Sequence, residues 1–226
     1  MTIVLWDIDG TLIRSGGAGK LAMESALRSA FGLRDLFDTV KYSGRTDVAI
    51  ARDLLAVHDL PTTEDNQHLL RETYLRELPG ALKTVTGHVL PGVPALLERM
   101  HNRDGIVQGL LTGNIRRGAK AKLGHFGLWD FFGPGGFGDL HTDRDEVARI
   151  ALLAVEAHLG RPANAADIWV IGDTPHDISC GRAIGANVLA VATGWHPIQE
   201  LESCGADAVL EDLSDTGRVL ELLGVR

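Results

Sequence analysis

The stretch Thr2-Ile3-Val4-Leu5-Trp6-Asp7-Ile8-Asp9-Gly10-Thr11-Leu12 decides the fold. Its opening run, Thr2 to Ile8, reads as a strand buried on both faces, as parallel strands are when helices cover them. Two carboxylates, Asp7 and Asp9, then appear two positions apart. Along a strand, residues i and i+2 share a face, but Gly10 lets the chain turn here. Two acids at the end of a buried strand are costly unless a cation or a proton balances them.

Working outward, three further apolar runs have the same character: residues 106–111, 167–171 and 187–192. Val209 and Leu210 read as a short fifth strand at the sheet edge. Helical patterns at 93–101, 118–126, 146–159 and 177–184 alternate with these runs. Alternation of strand and helix predicts an α/β fold with right-handed crossovers, a Rossmann-like, mostly parallel sheet flanked by helices. The anomaly is residues 15–86, where helical candidates at 19–31, 46–58 and 63–77 replace the single helix of a simple crossover. The expected organisation is a core domain of residues 1–14 and 87–226 with a helical cap domain, 15–86, inserted after the first strand. An insertion there overhangs the carboxyl ends of the strands, where open α/β sheets bind ligands. Gly16-Gly17 and Gly87 lie at its two connections and are read as hinge residues.

The bulk properties narrow the function. The chain has 226 residues, 45% hydrophobic and 23% charged, which is ordinary for a folded globular protein. Its net charge of −8 and the lack of a Lys/Arg run speak against nucleic acid as a partner. No 18-residue apolar run or basic leader occurs, so neither a membrane partner nor export is expected. Cys180 and Cys204 form no disulfide framework or zinc motif, and a cytoplasmic location follows. The segment 133–138 (GPGGFG) reads as a loop and carries no dinucleotide fingerprint. Gly16-Gly17-Ala18-Gly19-Lys20 fails as a phosphate-binding P-loop, because Arg14 and Leu21 stand where Gly and Ser/Thr are required.

Two more strand ends carry chemistry. Ile171-Gly172-Asp173-Thr174-Pro175-His176-Asp177 again ends an apolar run in acids, which parallel strands would bring to the same sheet edge as Asp7 and Asp9. Several carboxylates gathered there suit a hard cation such as Mg2+. Thr112-Gly113-Asn114, before a helix, offers a hydroxyl, an amide and backbone N–H groups as an anion cradle.

In this order, Asp7-x-Asp9-Gly10-Thr11, Thr112-Gly113-Asn114 and Gly172-Asp173-Thr174-x-x-Asp177 resemble the motifs of the haloacid dehalogenase superfamily. The resemblance is to phosphoglycolate-phosphatase-like members with a helical cap, and Leu90-Pro91-Gly92-Val93 looks like the re-entry into the core. It implies a Mg2+-dependent phosphatase acting on a small phosphorylated metabolite. Asp7 would be the nucleophile, forming an aspartyl-phosphate, and Asp9 the acid and base. It further implies a metal held by Asp7, the carbonyl of Asp9, and Asp173, with Asp177 orienting metal-bound water or the loop. Thr112, Gly113 and Asn114 would hold phosphoryl oxygens. The basic residue that such enzymes place before the last motif is not in its usual Lys-Pro context. Arg144 lies nearest and is assigned the role, whereas Lys120 and Lys122 are set aside as lying too far into a helix.

Arg45, in Ser43-Gly44-Arg45-Thr46-Asp47, is expected to reach the leaving group from the cap, unless Thr46 or Asp47 simply caps a helix. His176 is read as loop packing, Cys180 as a small core residue, and Trp6, Trp169, Trp129, Phe131 and Phe132 as core, while Trp195 and His196 could rim the pocket. A phosphomutase and a haloacid dehalogenase are alternative enzymes, and a silent ligand-binding relative is the non-enzyme alternative. The dehalogenase needs no metal, so Asp9 and Asp173 argue against it. A monomer or a homodimer is equally compatible.

Overall fold

The computed structural model describes every residue except Asn102 and Arg226. Its main sheet has six strands: β1 (Thr2–Trp6), β4 (Ile106–Leu111), β5 (Gly135–Gly136), β6 (Ile168–Gly172), β7 (Asn187–Val191) and β8 (Ala208–Leu210), in the order β5-β4-β1-β6-β7-β8. Every neighbouring pair is parallel. Alternation along the strands explains why each run is apolar throughout. Val4 and Trp6 of β1 join Leu110, Ile171 and Leu189 on one face, under helices α4 (Val93–Met100), α5 (Arg116–His125) and α9 (Thr216–Leu222). Ile3 and Leu5 join Leu111, Val170 and Val188 on the other, under α6 (Arg144–Leu159), α7 (Pro175–Ala183) and α8 (Ile198–Ser203).

The chain runs β1 to β4 to β5 in one direction and returns to place β6 on the other side of β1. That reversal puts a crevice at the carboxyl ends of β1 and β6, where doubly wound sheets bind ligands. Both acidic motifs end there.

Helices α1 (Ala18–Phe31), α2 (Asp47–Val57) and α3 (Glu64–Thr84) carry an apolar cluster of their own, in which Ala22, Ala26 and Leu27 of α1 join Leu54 and Leu55 of α2 and Leu70, Tyr74 and Leu78 of α3. Ile115, at the start of α5, also enters this cluster. Helix α3 continues past residue 77, through Pro79 to Thr84, beyond the expected end. The outgoing and returning connections pair as an antiparallel ribbon, β2 (Ile13–Arg14) with β3 (His88–Val89). Gly16 and Gly17 have left-handed φ of 64° and 84°. Gly87 is a glycine for lack of room instead, since a Cβ there would lie 2.7 Å from the Arg14 carbonyl.

The segment read as a loop contains the edge strand β5, paired with Leu110 and Leu111. Gly136 has no propensity for a strand and is there because α6 approaches so closely. A Cβ would overlap the Val147 carbonyl and come within 2.8 Å of Ala151. Gly136→Ala is therefore expected to destabilise the protein by about 1–3 kcal/mol through overpacking. Gly133→Ala, whose nearest new neighbour lies 3.8 Å away, should stay within about 0.5 kcal/mol. Urea denaturation of the two variants beside the parent decides it, and equal stabilities would mean that α6 does not rest on β5.

Candidate active site

Asp7 is the first residue after β1, and its amide donates to the Ile171 carbonyl at 2.9 Å, which fixes it at the β1–β6 crevice. The chain then folds back sharply: Leu12 and Ile13 donate to the Ile8 carbonyl at 2.9 and 3.0 Å. Gly10, at φ 92°, makes this possible, and it also leaves space for the Asp173 carboxylate, which a Cβ would meet. The two acidic motifs therefore pack directly on one another.

Asp7, Asp173 and Asp177 are all buried, and one carboxylate oxygen from each lies within 4.8 Å of the others. Burial, followed by the neighbouring Asp177 charge, pushes the Asp7 carboxyl up to about 7, although Arg144 opposes the shift. Burial, with Asp177 and Asp7, also raises Asp173 well above the ordinary range. Asp177 is engaged elsewhere. Its Oδ2 accepts from the Thr174 amide at 3.1 Å and the Thr174 hydroxyl at 2.8 Å, closing a capping box on α7, and its Oδ1 accepts from Arg144.

Arg144 opens α6 and is itself buried. Its Nη1 lies 3.5 Å from Asp7 Oδ1, and its Nη2 holds Asp177. Although burial disfavours its charge, Asp177 and Asp7 keep it protonated.

Asp9 has a different environment. Oδ2 accepts from Lys122 Nζ at 2.6 Å and from Asn114 Nδ2 at 2.9 Å, and Oδ1 from the Ser15 hydroxyl at 3.1 Å. Burial would raise its pKa, but Lys122 and these hydrogen bonds together lower it. Lys122, set aside on its sequence position, is thus brought into the site. Its place two turns into α5 directs Nζ back onto Asp9 and onto Asn114 Oδ1, 2.7 Å away. Burial disfavours the ammonium, but Asp9 and Asp47 more than compensate and raise its pKa.

Thr112 and Asn114 bond to each other, Asn114 Nδ2 donating to Thr112 Oγ1 at 2.9 Å. Two amides at the start of α5 are engaged by carboxylates. The Ile115 amide donates to Asp47 Oδ2 and the Arg116 amide to Asp139 Oδ2, both at 2.9 Å. Asp47, read from the sequence only as a possible helix cap, also donates its own amide to the Gly113 carbonyl at 2.8 Å, so α2 is latched to the Thr112–Asn114 segment from both directions. Burial above all pushes its carboxyl up to about 6, against the pull of Lys122.

A cavity of about 500 Å³ is lined by Asp7, Asp9, Thr112, Asn114, Arg144 and Asp173, together with Tyr42, Arg45 and Trp195. Arg45 faces the cavity, but its guanidinium is held at 2.7 Å by Asp53 and at 3.2 Å by the Lys41 carbonyl. Thr46 caps α2 by accepting from Ala49. His176 is exposed against Gly44 of the inserted segment, Trp195 is 89% exposed at the rim, and His196 pairs with Glu200. Cys180 is buried, and burial pushes its thiol up to about 12. Trp6 is fully buried, and Trp129, Phe131, Phe132 and Trp169 pack partly buried against the same core.

Known proteins resemble this chain over nearly its whole length. A "Probable phosphatase IndB" of Dickeya dadantii is 27% identical across 94% of this chain and 90% of its own length. A "Phosphoglycolate phosphatase" of Aquifex aeolicus is 24% identical across 98% and 97%. Among solved structures, a hydrolase from Pseudomonas syringae superposes with a TM-score of 0.75 at 22% identity, covering 98% of this chain and 99% of that one. CbbY from Rhodobacter sphaeroides, in complex with phosphate, does so at 0.77 and 16%, covering 96% of each chain. The family model for haloacid dehalogenase-like hydrolases matches residues 4–182, a span that includes the β1 acids, the Thr112 segment and the acids after β6, and the chain belongs to that family.

Proposed function

We propose that this protein is a Mg2+-dependent phosphatase that hydrolyses a small phosphomonoester through an aspartyl-phosphate on Asp7. The observation that carries the reading is the convergence of Asp7 and Asp173 with Arg144 at one crevice, with Asp9 opposite and held separately by Lys122. Three buried carboxylates against one guanidinium leave an excess of negative charge, and all donors are hard oxygens, which fits Mg2+. Asp7, Asp173 and the Asp9 carbonyl would hold the ion, while Asp177, committed to Thr174 and Arg144, braces the loop. A bound cation shields the approach of an anionic phosphate to an anionic nucleophile.

The remaining steps belong to the chain's own groups. Asp7 attacks phosphorus, and Asp9 gives a proton to the departing oxygen and later takes one from the attacking water. Arg144, Thr112 and the Gly113–Asn114 segment hold the phosphoryl oxygens. Leaving groups from the size of glycolate to a sugar or a nucleoside fit the 500 Å³ cavity, whose lining includes Arg45 and Trp195. Two relatives carry the name phosphoglycolate phosphatase. Residues 15–86 act as a cap that opens and closes over the cavity. Their own apolar cluster, which only Ile115, Ala121 and Phe126 of the core join among the described residues, and the paired β2–β3 connection support this. The unpaired Cys180 and Cys204 fit a cytoplasmic setting, and no helix among the described residues is long and apolar enough to cross a membrane.

Asp7→Asn should lower kcat on phosphomonoesters by at least about 10³-fold while retaining a cooperative melt. Unchanged turnover in that variant removes Asp7 from the mechanism.

A second prediction joins metal and pH. The Asp7 carboxyl moves from 3.8 to about 7 on folding. Its contribution to stability is thus complete below about pH 4 and is lost as pH rises through 7. Mg2+ binds the ionised site and competes with protons at pH 5 but not at pH 8. In melting experiments, saturating Mg2+ should raise Tm by about 5 °C or more over EDTA at pH 8, and by clearly less at pH 5. Activity should vanish in EDTA, and Ca2+, with its longer bonds, should inhibit. Equal Tm gains at the two pH values, or full activity in chelator, would reject the metal-assisted reading.

A further inference from the structure

We propose that Lys122 is a positioning residue that, with Asn114, pins Asp9 Oδ2 so that Oδ1 is the oxygen that exchanges the proton. The inference rests on the phosphatase reading for the role of Asp9, but the geometry behind it is independent. Lys122 Nζ spans Asp9 Oδ2 at 2.6 Å and Asn114 Oδ1 at 2.7 Å, and Asn114 Nδ2 closes the triangle on the same Asp9 oxygen at 2.9 Å. The lysine side chain is only 6% exposed, so this arrangement has few alternatives. Asp9 Oδ1, by contrast, accepts from one group, the Ser15 hydroxyl at 3.1 Å. A hydroxyl rotates and can donate or accept, so Ser15 can release Oδ1 without disturbing Oδ2.

The chemistry follows atom by atom. As Asp7 Oδ bonds to phosphorus and the ester P–O bond breaks, the proton on Asp9 Oδ1 passes to the departing oxygen. As water oxygen bonds to phosphorus and the Asp7 Oδ–P bond breaks, a water proton returns to Asp9 Oδ1. The pinned carboxylate keeps one orientation through both halves. The inserted segment takes part because Ser15 begins it and Gly19 lies against the ammonium, its would-be Cβ 3.5 Å from Nζ.

A buried lysine among acids could serve only to balance charge, and the test separates the two roles. Lys122→Met is compared with Lys122→Met/Asp47→Asn, which removes a buried negative charge together with the positive one. For the first irreversible step, kcat/KM is read on an alkyl phosphate, which needs a proton on its leaving oxygen, and on p-nitrophenyl phosphate, which needs it little. Lys122→Met should lose about 100-fold on the alkyl ester and less than about tenfold on the aryl ester. The double variant should recover thermal stability and keep the bias. Equal losses on both esters, or a bias abolished in the double variant, would overturn the proposal. A crystal structure of the double variant reads the positioning directly, whatever the reaction. The Asp9 carboxylate should have turned away from Asn114, and finding it still 2.9 Å from Asn114 Nδ2 overturns the inference. Parent protein inactive on every phosphomonoester would instead reject the phosphatase reading, leaving the structural measurement to decide on Lys122.

Discussion

The rest of the site depends on one electrostatic constraint, the burial of like charges at the carboxyl ends of β1 and β6. A carboxylate removed from water must be paired, hydrogen-bonded or protonated. The fold supplies one cation from each helical layer. Arg144 comes from α6 on one face of the sheet and Lys122 from α5 on the other, both buried. The two cations are divided between the acids: Arg144 spans Asp7 and Asp177, and Lys122 serves Asp9. Asp173 receives neither in direct contact; its polar neighbour is the Thr11 hydroxyl at 3.4 Å, and glycines at 10 and 194 make room for it. This is the position at which a bound cation would relieve most.

The inserted helices are tied to the same charges. Asp47 opens α2, and its reciprocal hydrogen bonds with Gly113 and Ile115 join that helix to the segment that carries Thr112 and Asn114. Gly44 packs against His176 and Thr174, beside the capping box that fixes Asp177. Two loops of the core are thus touched by one turn of the insertion, at Gly44 to Asp47. Moving this turn away from the core would break the bonds of Asp47 to Gly113 and Ile115.

Legibility in the sequence followed the strength of the local signal. The strands β1, β4, β6 and β7 were readable because burial on both faces makes each an unbroken apolar run. The acids after β1 and β6 were readable because charge at such a place has a cost that demands a reason. Strand β5 was not, since Gly135 and Gly136 serve close packing and look like a turn. The β2–β3 ribbon has two residues per strand, too few for any periodicity. Lys122 was missed although a signal existed. It falls on the buried stripe of α5 with Ala119 and Leu123, at helical spacing, and a lysine on an apolar stripe needs a carboxylate partner. Naming that partner required the tertiary fold, because Asp9 lies 113 residues away. Arg45 shows the converse. Its loop was legible as part of the cavity, but its pairing with Asp53, one helix turn and more along α2, was not.

The separation of Asp7 from Asp9 is the last consequence of this arrangement. Only Ile8 stands between them, yet burial drives the first carboxyl up to about 7 while Lys122, Asn114 and Ser15 hold the second below its usual range. The sharp turn at Gly10 creates the difference by facing Asp7 toward the acids after β6 and Asp9 toward α5. Two carboxylates whose surroundings push them apart in this way cannot share a role. With its carboxyl near 7, Asp7 is only partly ionised at neutral pH, and an added positive charge beside Arg144 would favour its ionised form. Asp9 already has its countercharge in Lys122, which favours its ionised form. A residue swap that exchanged the two environments would leave the motif intact in sequence and disable it in chemistry.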